Sequence, residues 1–218
     1  MTPVPPHTSS EPLRRAALER RVRELMTRLP FGAFTAAAQS TQATACACDL
    51  SRPPTPAGLI ETMLSALELT GAERVLEIGS SSGYEAALLS QLSSEVVSVD
   101  ADPDRAKARV PLFASLGCHN VRVFVGSGSA GWPDYAPYQA ILVAGGARRL
   151  PQRLLDQLDM GGRLVIALGD TDGQVVELVR RHHLDGVVTS ALGTSHLPML
   201  PWRRESVFPW VSTRTAKP

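Results

Sequence analysis

A glycine-rich turn contains the residues of this sequence that are best suited to holding a ligand. From Glu77 to Tyr84 the chain reads Glu-Ile-Gly-Ser-Ser-Ser-Gly-Tyr, between a short apolar run and an amphipathic one. Small residues in such a turn allow the backbone to approach a ligand closely, because no Cβ intrudes. The pattern predicts that a flat, polar ligand lies across Gly79 to Gly83.

The spacing of the two glycines argues against a dinucleotide as that ligand. A dinucleotide site typically carries G-x-G-x-x-G, with the pyrophosphate at the N-terminus of the following helix. This turn offers only Gly79 and Gly83, in the pattern G-x-x-x-G. A pyrophosphate ligand is therefore disfavoured.

Two carboxylates follow the apolar runs on either side of the turn. Glu77 ends the first predicted strand, and Asp100 ends the second, ~20 residues beyond the turn. A carboxylate in that place can accept hydrogen bonds from both hydroxyls of a ribose. Asp100 could instead belong to the start of a helix ahead of Pro103, but Asp102 could cap that helix equally well. With the glycine turn upstream, ligand contact is the favoured interpretation of Asp100.

Short β-rich apolar runs predict strands, and the amphipathic runs between them predict helices. The predicted strands are Arg74 to Ile78, Val96 to Val99, Val121 to Val125, Ala140 to Ala144 and Leu164 to Leu168. The predicted helices are Gly58 to Leu69, Glu85 to Leu92, Pro103 to Leu116 and one around Pro151 to Leu158. Such an alternation needs right-handed crossovers and predicts an α/β fold with a doubly wound, mostly parallel sheet. Gln174 to Arg181 and the segment near Ser195 to Leu200 are expected to add terminal strands, with antiparallel pairing allowed.

The N-terminal quarter of the chain differs from this alternating pattern. Helical periodicity from Glu11 to Leu29 follows a tail rich in Pro and Ser, with Ser10 as a candidate cap. From Pro30 to Ala57 the periodicity is lost, which predicts a long loop without a strong element. We therefore expect residues 1–57 to form a tail, a helical extension and a substrate-side loop, and residues 58–218 to form the ligand-binding domain.

Composition limits the classes of partner. The 218 residues are 44% hydrophobic and 20% charged, with a net charge of +1, so there is no broad basic field to attract nucleic acid. The sequence has no run of about 18 apolar residues that would suggest a membrane span, and no apolar signal core precedes the first helix. Cys46, Cys48 and Cys118 lack metal-knuckle spacing and are expected to be reduced thiols, with no metal site, in a cytoplasmic protein. Nothing in the sequence constrains the oligomeric state.

Five stretches of the sequence resemble the protein-L-isoaspartate O-methyltransferases. They are Val75 to Gly79, Ser82 to Tyr84, Val96 to Asp100, Gly126 to Trp132 and Gly161 to Ile166. The resemblance covers about residues 57–168. Its most specific part is Gly-Ser-x-Gly-Trp followed by Ala-Pro-Tyr, whereas the glycine turn alone is typical of the wider methyltransferase superfamily.

The resemblance implies a Rossmann-like fold and an S-adenosylmethionine-dependent carboxyl methyltransferase. Its partner would be a protein or peptide that contains an isoaspartyl residue. In that family the turn matching Gly79 to Gly83 holds the methionine part of the cofactor, and the acidic residue matching Asp100 holds its ribose. The cofactor-binding residues predicted on this basis are Glu77, Gly79, Ser81, Gly83, Asp100, Ser127 and Gly128.

One departure from the family lies at the adenine end of the predicted cofactor site. The family has Gly-Asp-Gly where this chain has Gly126-Ser127-Gly128. A hydroxyl therefore replaces the carboxylate that would face the adenine amino group. Ser127 can still accept one hydrogen bond, worth about 1 kcal/mol instead of the stronger charge-assisted bond. The sequence thus predicts weaker cofactor affinity.

A second departure lies at the substrate end. The family signature Thr-x-Ser-x-Pro matches Ser51-Arg52-Pro53 only with a gap, which puts Asp49 in the threonine position. An ungapped alignment from Met63 places Thr55 in the serine position instead. Ser51 or Thr55 is thus predicted to position the substrate carboxylate, although both could simply fill turns next to proline. Asp49 would repel an anionic substrate there, unless Arg52 compensates for its charge or the substrate has changed.

Three functional hypotheses follow from these matches and departures. The leading one is a carboxyl methyltransferase of the isoaspartyl repair type. The second keeps the cofactor but changes the carboxylate acceptor, because residues 30–57 depart most from the family. The third is a degenerate relative that binds a partner protein and catalyses nothing, since two of the family's polar signatures are altered.

Overall fold

The computed structural model describes residues 11–32, 34–35, 55–79, 82–182 and 186–200. Two residues predicted to form the site, Ser51 and Ser81, lie outside these ranges, as does the candidate cap Ser10. Within the described ranges, every helix is too short or too polar to cross a membrane.

The strands are short stretches of apolar and β-branched residues, as their sequence favours. They are β1 (Arg74–Ile78), β2 (Glu95–Asp100), β3 (Val121–Val125), β4 (Tyr138–Ala147), β5 (Leu158–Asp170), β6 (Gly173–Arg181) and β7 (Val187–Ser195). They form a seven-stranded sheet in the order β3-β2-β1-β4-β5-β6-β7. The first five strands of this order pair in parallel, and β6 and β7 continue the sheet with antiparallel pairing.

Helices cover the sheet and connect its parallel strands. They are α1 (Glu11–Arg28), α2 (Ala57–Ala66), α3 (Tyr84–Ser90), α4 (Pro103–Ser115) and α5 (Gln152–Gln157). Helix α4 begins where its sequence predicts. The Asp102 side chain caps it by accepting hydrogen bonds from the backbone N–H groups of Asp104 and Arg105. Pro103, the first helical residue, has no N–H that would need a partner.

The central strands are buried on both faces, which explains why they read as continuous apolar runs. On one face Val75 packs with its register partners Val96 and Ala140 in the larger core cluster. On the other face Leu76 and its partner Ile141 belong to a second apolar cluster. The sheet therefore separates two hydrophobic layers.

The predicted α/β architecture is confirmed, but the predicted position of the last strand is wrong. The last strand was expected near Ser195 to Leu200, but β7 ends at Ser195 and beyond it Met199 makes an isolated parallel bridge to Gly146. Strand β7 is exposed along most of its length, so it lacks the apolar pattern that marks the buried strands. Its exposed edge explains why periodicity did not locate it.

The expectation of a structureless connection after α1 also needs correction. Residues 31–32 and 34–35 are helical, and Phe34 is fully buried. The rings of Phe31 and Phe34 lie edge-on to Tyr84, with centroids 5.3 and 5.5 Å away. The Tyr84 hydroxyl donates to the carbonyl of Leu29 over 2.6 Å, so the segment after α1 is fixed to the start of α3. Burial, with the nearby Glu85 carboxylate, raises the pKa of Tyr84 to about 12.

Candidate functional site

The carboxyl ends of the parallel strands meet along one edge of the sheet. Strand β1 lies between β2 and β4, so the chain order reverses beside it. Ligands of open α/β sheets bind at such a switch point. The backbone N–H of Gly79 donates to the carbonyl of Val99, and the N–H of Gly126 donates to the backbone carbonyl of Asp100. These two hydrogen bonds align the loops after β1, β2 and β3.

Both glycines of the turn adopt backbone conformations that favour glycine, but for different purposes. Gly79 has φ +83°, and a Cβ built on it would lie 2.6 Å from a methyl carbon of Leu200. Gly83 has φ +85° and lies directly before α3, where an added Cβ would lie 3.1 Å from Cδ of Arg109. The absence of a side chain at Gly79 therefore lets Leu200 pack against the turn, whereas its absence at Gly83 gives room to the Arg109 side chain of α4.

A C-terminal segment, Leu197 to Leu200, forms a wall of this edge. Gly146 donates its N–H to the carbonyl of Pro198, and Leu200 donates to the carbonyl of Gly146. The buried Gln174 side chain holds the segment, because its amide donates to the Leu197 carbonyl over 2.8 Å and accepts from the Leu197 N–H over 2.9 Å. These contacts place the apolar side chain of Leu200 against Gly79.

Asp100 is buried at the end of β2 and is surrounded by donors. Its Oδ1 accepts the backbone N–H of Asp102 over 2.8 Å and Nη2 of Arg105 over 3.0 Å, and its Oδ2 accepts Nη2 of Arg109. Burial by itself would raise the pKa of the Asp100 carboxyl, but the Arg109 charge, the Arg105 hydrogen bond and the Asp102 N–H outweigh it. The pKa therefore lies below its ordinary value, and the group is an anion at neutral pH.

Glu77, the other predicted carboxylate, is fully buried within the sheet. Its Oε2 accepts a 2.6 Å hydrogen bond from the hydroxyl of Ser98, its register partner on β2. This contact ties the ends of the two strands together. A role for Glu77 in holding the cofactor stays a prediction.

The loop after β3 carries Ser127 and Gly128, the predicted adenine-side residues. The Ser127 and Ser129 hydroxyl oxygens lie 2.9 Å apart. Trp132 stacks on Phe124 with ring centroids 4.4 Å apart. Gln157 of α5 fixes the loop, because it accepts from the Trp132 N–H over 2.8 Å and donates to the Ala130 carbonyl over 2.7 Å. Ser127 therefore lies in a loop that hydrogen bonds hold in place next to the end of β2.

Thr55 lines a small cavity together with Glu85. Its hydroxyl donates to Oε1 of Glu85 over 3.0 Å, and Glu85 is buried in the first turn of α3. Met63, Leu142 and other apolar residues line the rest of the cavity. The predicted substrate residue Thr55 is thus beside a carboxylate that the sequence analysis did not assign to the site.

Sequence reasoning missed several residues of this edge. Arg105 and Arg109 are one helical turn apart in α4, directly after Asp100, and that spacing was the signal that could have revealed them. Glu85 follows the glycine turn by two residues and was assigned only to a helix. Gln174 and Leu200 reach the site through long-range contacts that no local pattern marks.

Comparisons with known proteins identify the family of this chain. The family model for protein-L-isoaspartate(D-aspartate) O-methyltransferase matches residues 13–200. Protein-L-isoaspartate O-methyltransferase 1 of Syntrophobacter fumaroxidans is 41% identical over 74% of this chain and 77% of its own length. The enzyme of the same name from Rhodopseudomonas palustris is 45% identical over 59% of this chain, but the match spans only 53% of that relative.

Solved structures support the Rossmann-like methyltransferase fold. A protein-L-isoaspartate O-methyltransferase structure superposes with a TM-score of 0.60 at 26% identity, covering 65% of this chain and 46% of its own. A second, from Plasmodium falciparum and described in complex with S-adenosyl-L-homocysteine, gives 0.58 at 17% identity, covering 68% of this chain and 75% of its own. The second likeness concerns the fold alone.

Proposed function

Because the chain belongs to the protein-L-isoaspartate(D-aspartate) O-methyltransferase family, we propose that it methylates isoaspartyl carboxylates of damaged proteins with S-adenosylmethionine. The observation that supports this function most directly is the alignment of Gly79, Asp100 and Ser127 at the ends of neighbouring parallel strands. We place this activity in the cytoplasm, with a protein or peptide as the partner and without nucleic acid or membrane; the near-neutral net charge provides no broad basic field for nucleic acid.

The residues of this edge fit S-adenosylmethionine. Gly79, which has no Cβ and packs against Leu200, lies in the turn that we propose for the methionine part. The anionic Asp100 suits the ribose hydroxyls, and the Ser127 hydroxyl suits the adenine amino group. Ser81 and Gly83 are proposed to complete the turn around the methionine part, and Gly128 the adenine side. When bound, the cofactor supplies a methyl group on a positively charged sulfur, which becomes a neutral thioether as the methyl–oxygen bond forms.

The chain has little acid–base chemistry to perform in this reaction. A carboxylate acceptor, with a pKa near 4, is already an anionic nucleophile at neutral pH. No proton needs to move, so the protein contributes mainly by holding the two reactants in line. We assign Thr55, or Ser51 four positions before it in the sequence, to orienting the acceptor carboxylate, and Leu200 to excluding water beside Gly79.

The proposed function predicts turnover that distinguishes isoaspartyl from aspartyl peptides. The purified protein, incubated with S-adenosylmethionine labelled in its methyl group, is expected to label an isoaspartyl peptide and to leave the aspartyl peptide of the same sequence unlabelled. The readout is base-labile radioactivity on the peptide. Equal labelling of both peptides, or of neither, would contradict the isoaspartyl assignment.

A second candidate function, methylation of a different carboxylate, is favoured by the contact between Thr55 and Glu85. The Thr55 hydroxyl donates its hydrogen to Glu85, so it is not available to an anionic acceptor in this arrangement. The negative charge of Glu85 would also repel such an acceptor. Labelling of a non-isoaspartyl acid in the same assay, without labelling of the isoaspartyl peptide, would favour this candidate.

Restoring a carboxylate at the adenine side is expected to strengthen cofactor binding. Ser127→Asp should lower the Kd for S-adenosylmethionine about fivefold, because a charge-assisted hydrogen bond exceeds a neutral one by roughly 1 kcal/mol. Isothermal titration calorimetry measures the change. Ser190→Asp, on the exposed strand β7 at the opposite edge of the sheet from β3, is the matched control and should leave the Kd unchanged. An unaltered Kd in Ser127→Asp would remove Ser127 from the adenine side.

A further inference from the structure

The Asp100 carboxylate is saturated with donors in this structure. Oδ1 accepts from the Asp102 N–H at 2.8 Å and from Nη2 of Arg105 at 3.0 Å. Oδ2 accepts from Nη2 of Arg109, and Nε of Arg105 lies 3.4 Å away. An ionised carboxylate has about four acceptor positions. A ribose diol would need two of them, so two of the present donors must withdraw before Asp100 can hold it.

The donors differ in how readily they can withdraw. The N–H of Asp102 belongs to the backbone at the start of α4. The Arg109 side chain is fully buried, and moving it away from Asp100 would separate a buried ion pair, which is strongly unfavourable. The Arg105 side chain is 19% exposed and already lies 3.3 Å from a second carboxylate, Oδ2 of Asp102. Arg105 can therefore leave Asp100 and keep an ionic partner.

We propose that Arg105 is an exchangeable lock on the ribose-binding carboxylate. Without cofactor, its guanidinium occupies two acceptor positions of Asp100; when the ribose hydroxyls bind, it moves onto Asp102. This inference rests on the proposed function, since it takes Asp100 as the ribose ligand. Arg105 would then set cofactor affinity without touching the reacting atoms, because the energy of its contact with Asp100 is subtracted from the energy of binding.

The proposal predicts that removing the lock tightens binding. Arg105→Gln should lower the Kd for S-adenosylhomocysteine about three- to tenfold in isothermal titration calorimetry. Arg122→Gln is the matched control, because Arg122 also pairs with a β2 carboxylate, Glu95, but at the opposite end of that strand. It should leave the Kd unchanged. The gain in Arg105→Gln should shrink for the 2′-deoxy analogue of S-adenosylhomocysteine, which needs one acceptor position fewer.

A double-mutant cycle with Asp102 tests where the guanidinium goes. Asp102→Asn keeps a side chain that can cap α4 but removes the charge that receives Arg105. It should weaken binding several-fold in the wild-type background and have no effect in the Arg105→Gln background. A purely structural role for Arg105 would lower the melting temperature without producing this coupling.

The outcomes separate the lock from the function on which it rests. If the wild type binds S-adenosylhomocysteine and Arg105→Gln binds it with the same or a lower affinity, the lock is overturned and the cofactor assignment stands. Binding by Arg105→Gln alone would support a lock strong enough to close the site. Absence of binding by both proteins would overturn the lock together with the proposed cofactor.

Discussion

Replacing Asp100 by asparagine is expected to abolish measurable cofactor binding and to lower the free energy of unfolding by about 3–5 kcal/mol. The stability loss follows because the fully buried Arg109 guanidinium would lose its counter-charge. The binding loss follows because an amide cannot accept both ribose hydroxyls while Arg105 and Arg109 remain beside it. Urea unfolding and isothermal titration calorimetry with S-adenosylhomocysteine measure the two effects.

The double variant Asp100→Asn/Arg109→Met separates stability from function. Methionine can follow the path of the Arg109 stem, which packs against Gly83, and it leaves no buried charge. We expect most of the lost stability to return in the double variant while cofactor binding stays absent. Full stability in Asp100→Asn alone would show that the buried pair contributes nothing net, and normal binding in either variant would exclude Asp100 from the ribose site.

Acid titration provides a further control on the same pair. Because the folded pKa of Asp100 is lowered, its stabilising contribution is complete above the unfolded pKa, near 4, and is lost as the pH falls towards the folded value. The wild type should therefore lose stability below about pH 4 more steeply than the double variant. Parallel acid unfolding curves for the two proteins would contradict this assignment.

Replacing Glu85 by glutamine is expected to raise kcat/KM for an isoaspartyl peptide roughly tenfold. Coulomb repulsion between Glu85 and an acceptor carboxylate about 6 Å away is of order 3 kcal/mol at an effective dielectric constant of 20, and partial solvation reduces it. A glutamine amide could donate to the Thr55 oxygen, which would free the Thr55 hydroxyl hydrogen for the substrate. Steady-state kinetics at low and high salt provide the measurement.

Glu61→Gln is the control for this charge change. Glu61 is on α2, next to the cavity-lining Ile60, but its carboxylate pairs with Arg23 on α1. Its removal changes the net charge by the same amount and should leave kcat/KM unchanged. A fall in kcat/KM in Glu85→Gln would show that Glu85 assists the acceptor, for example by accepting an N–H of the peptide, and would reverse the proposed role.

The sequence could predict those parts of the fold and site that depend on local patterns. Strands β1 and β3 have the expected bounds because both are apolar runs that end at polar or glycine residues. The glycine turn and Asp100 were found because a strand end followed by small residues is a local signal. Both Gly79 and Asp100 lie at the expected edge of the sheet.

The missed features are long-range or surface features. Leu200 contacts Gly79 only because the pairing of β6 with β5 brings Gln174 beside the segment Leu197 to Leu200. The position of strand β7 is determined by its pairing with β6, because β7 has no apolar face of its own. The ion pairs of Asp100 depend on side-chain directions within α4, which spacing suggests but does not fix.

The mixed pairing of the sheet has a consequence for how the protein reaches its native state. Strands β5, β6 and β7 are consecutive antiparallel neighbours, and only Thr171 and Asp172 separate the first two. Strand β1, by contrast, pairs with β4 after two intervening strands, two α-helices and two short 3₁₀ helices. Contacts between distant parts of a chain form more slowly than local ones. We therefore expect the C-terminal meander to fold early and the β1–β4 junction late, so that the ligand edge exists only once the last slow step of folding is complete.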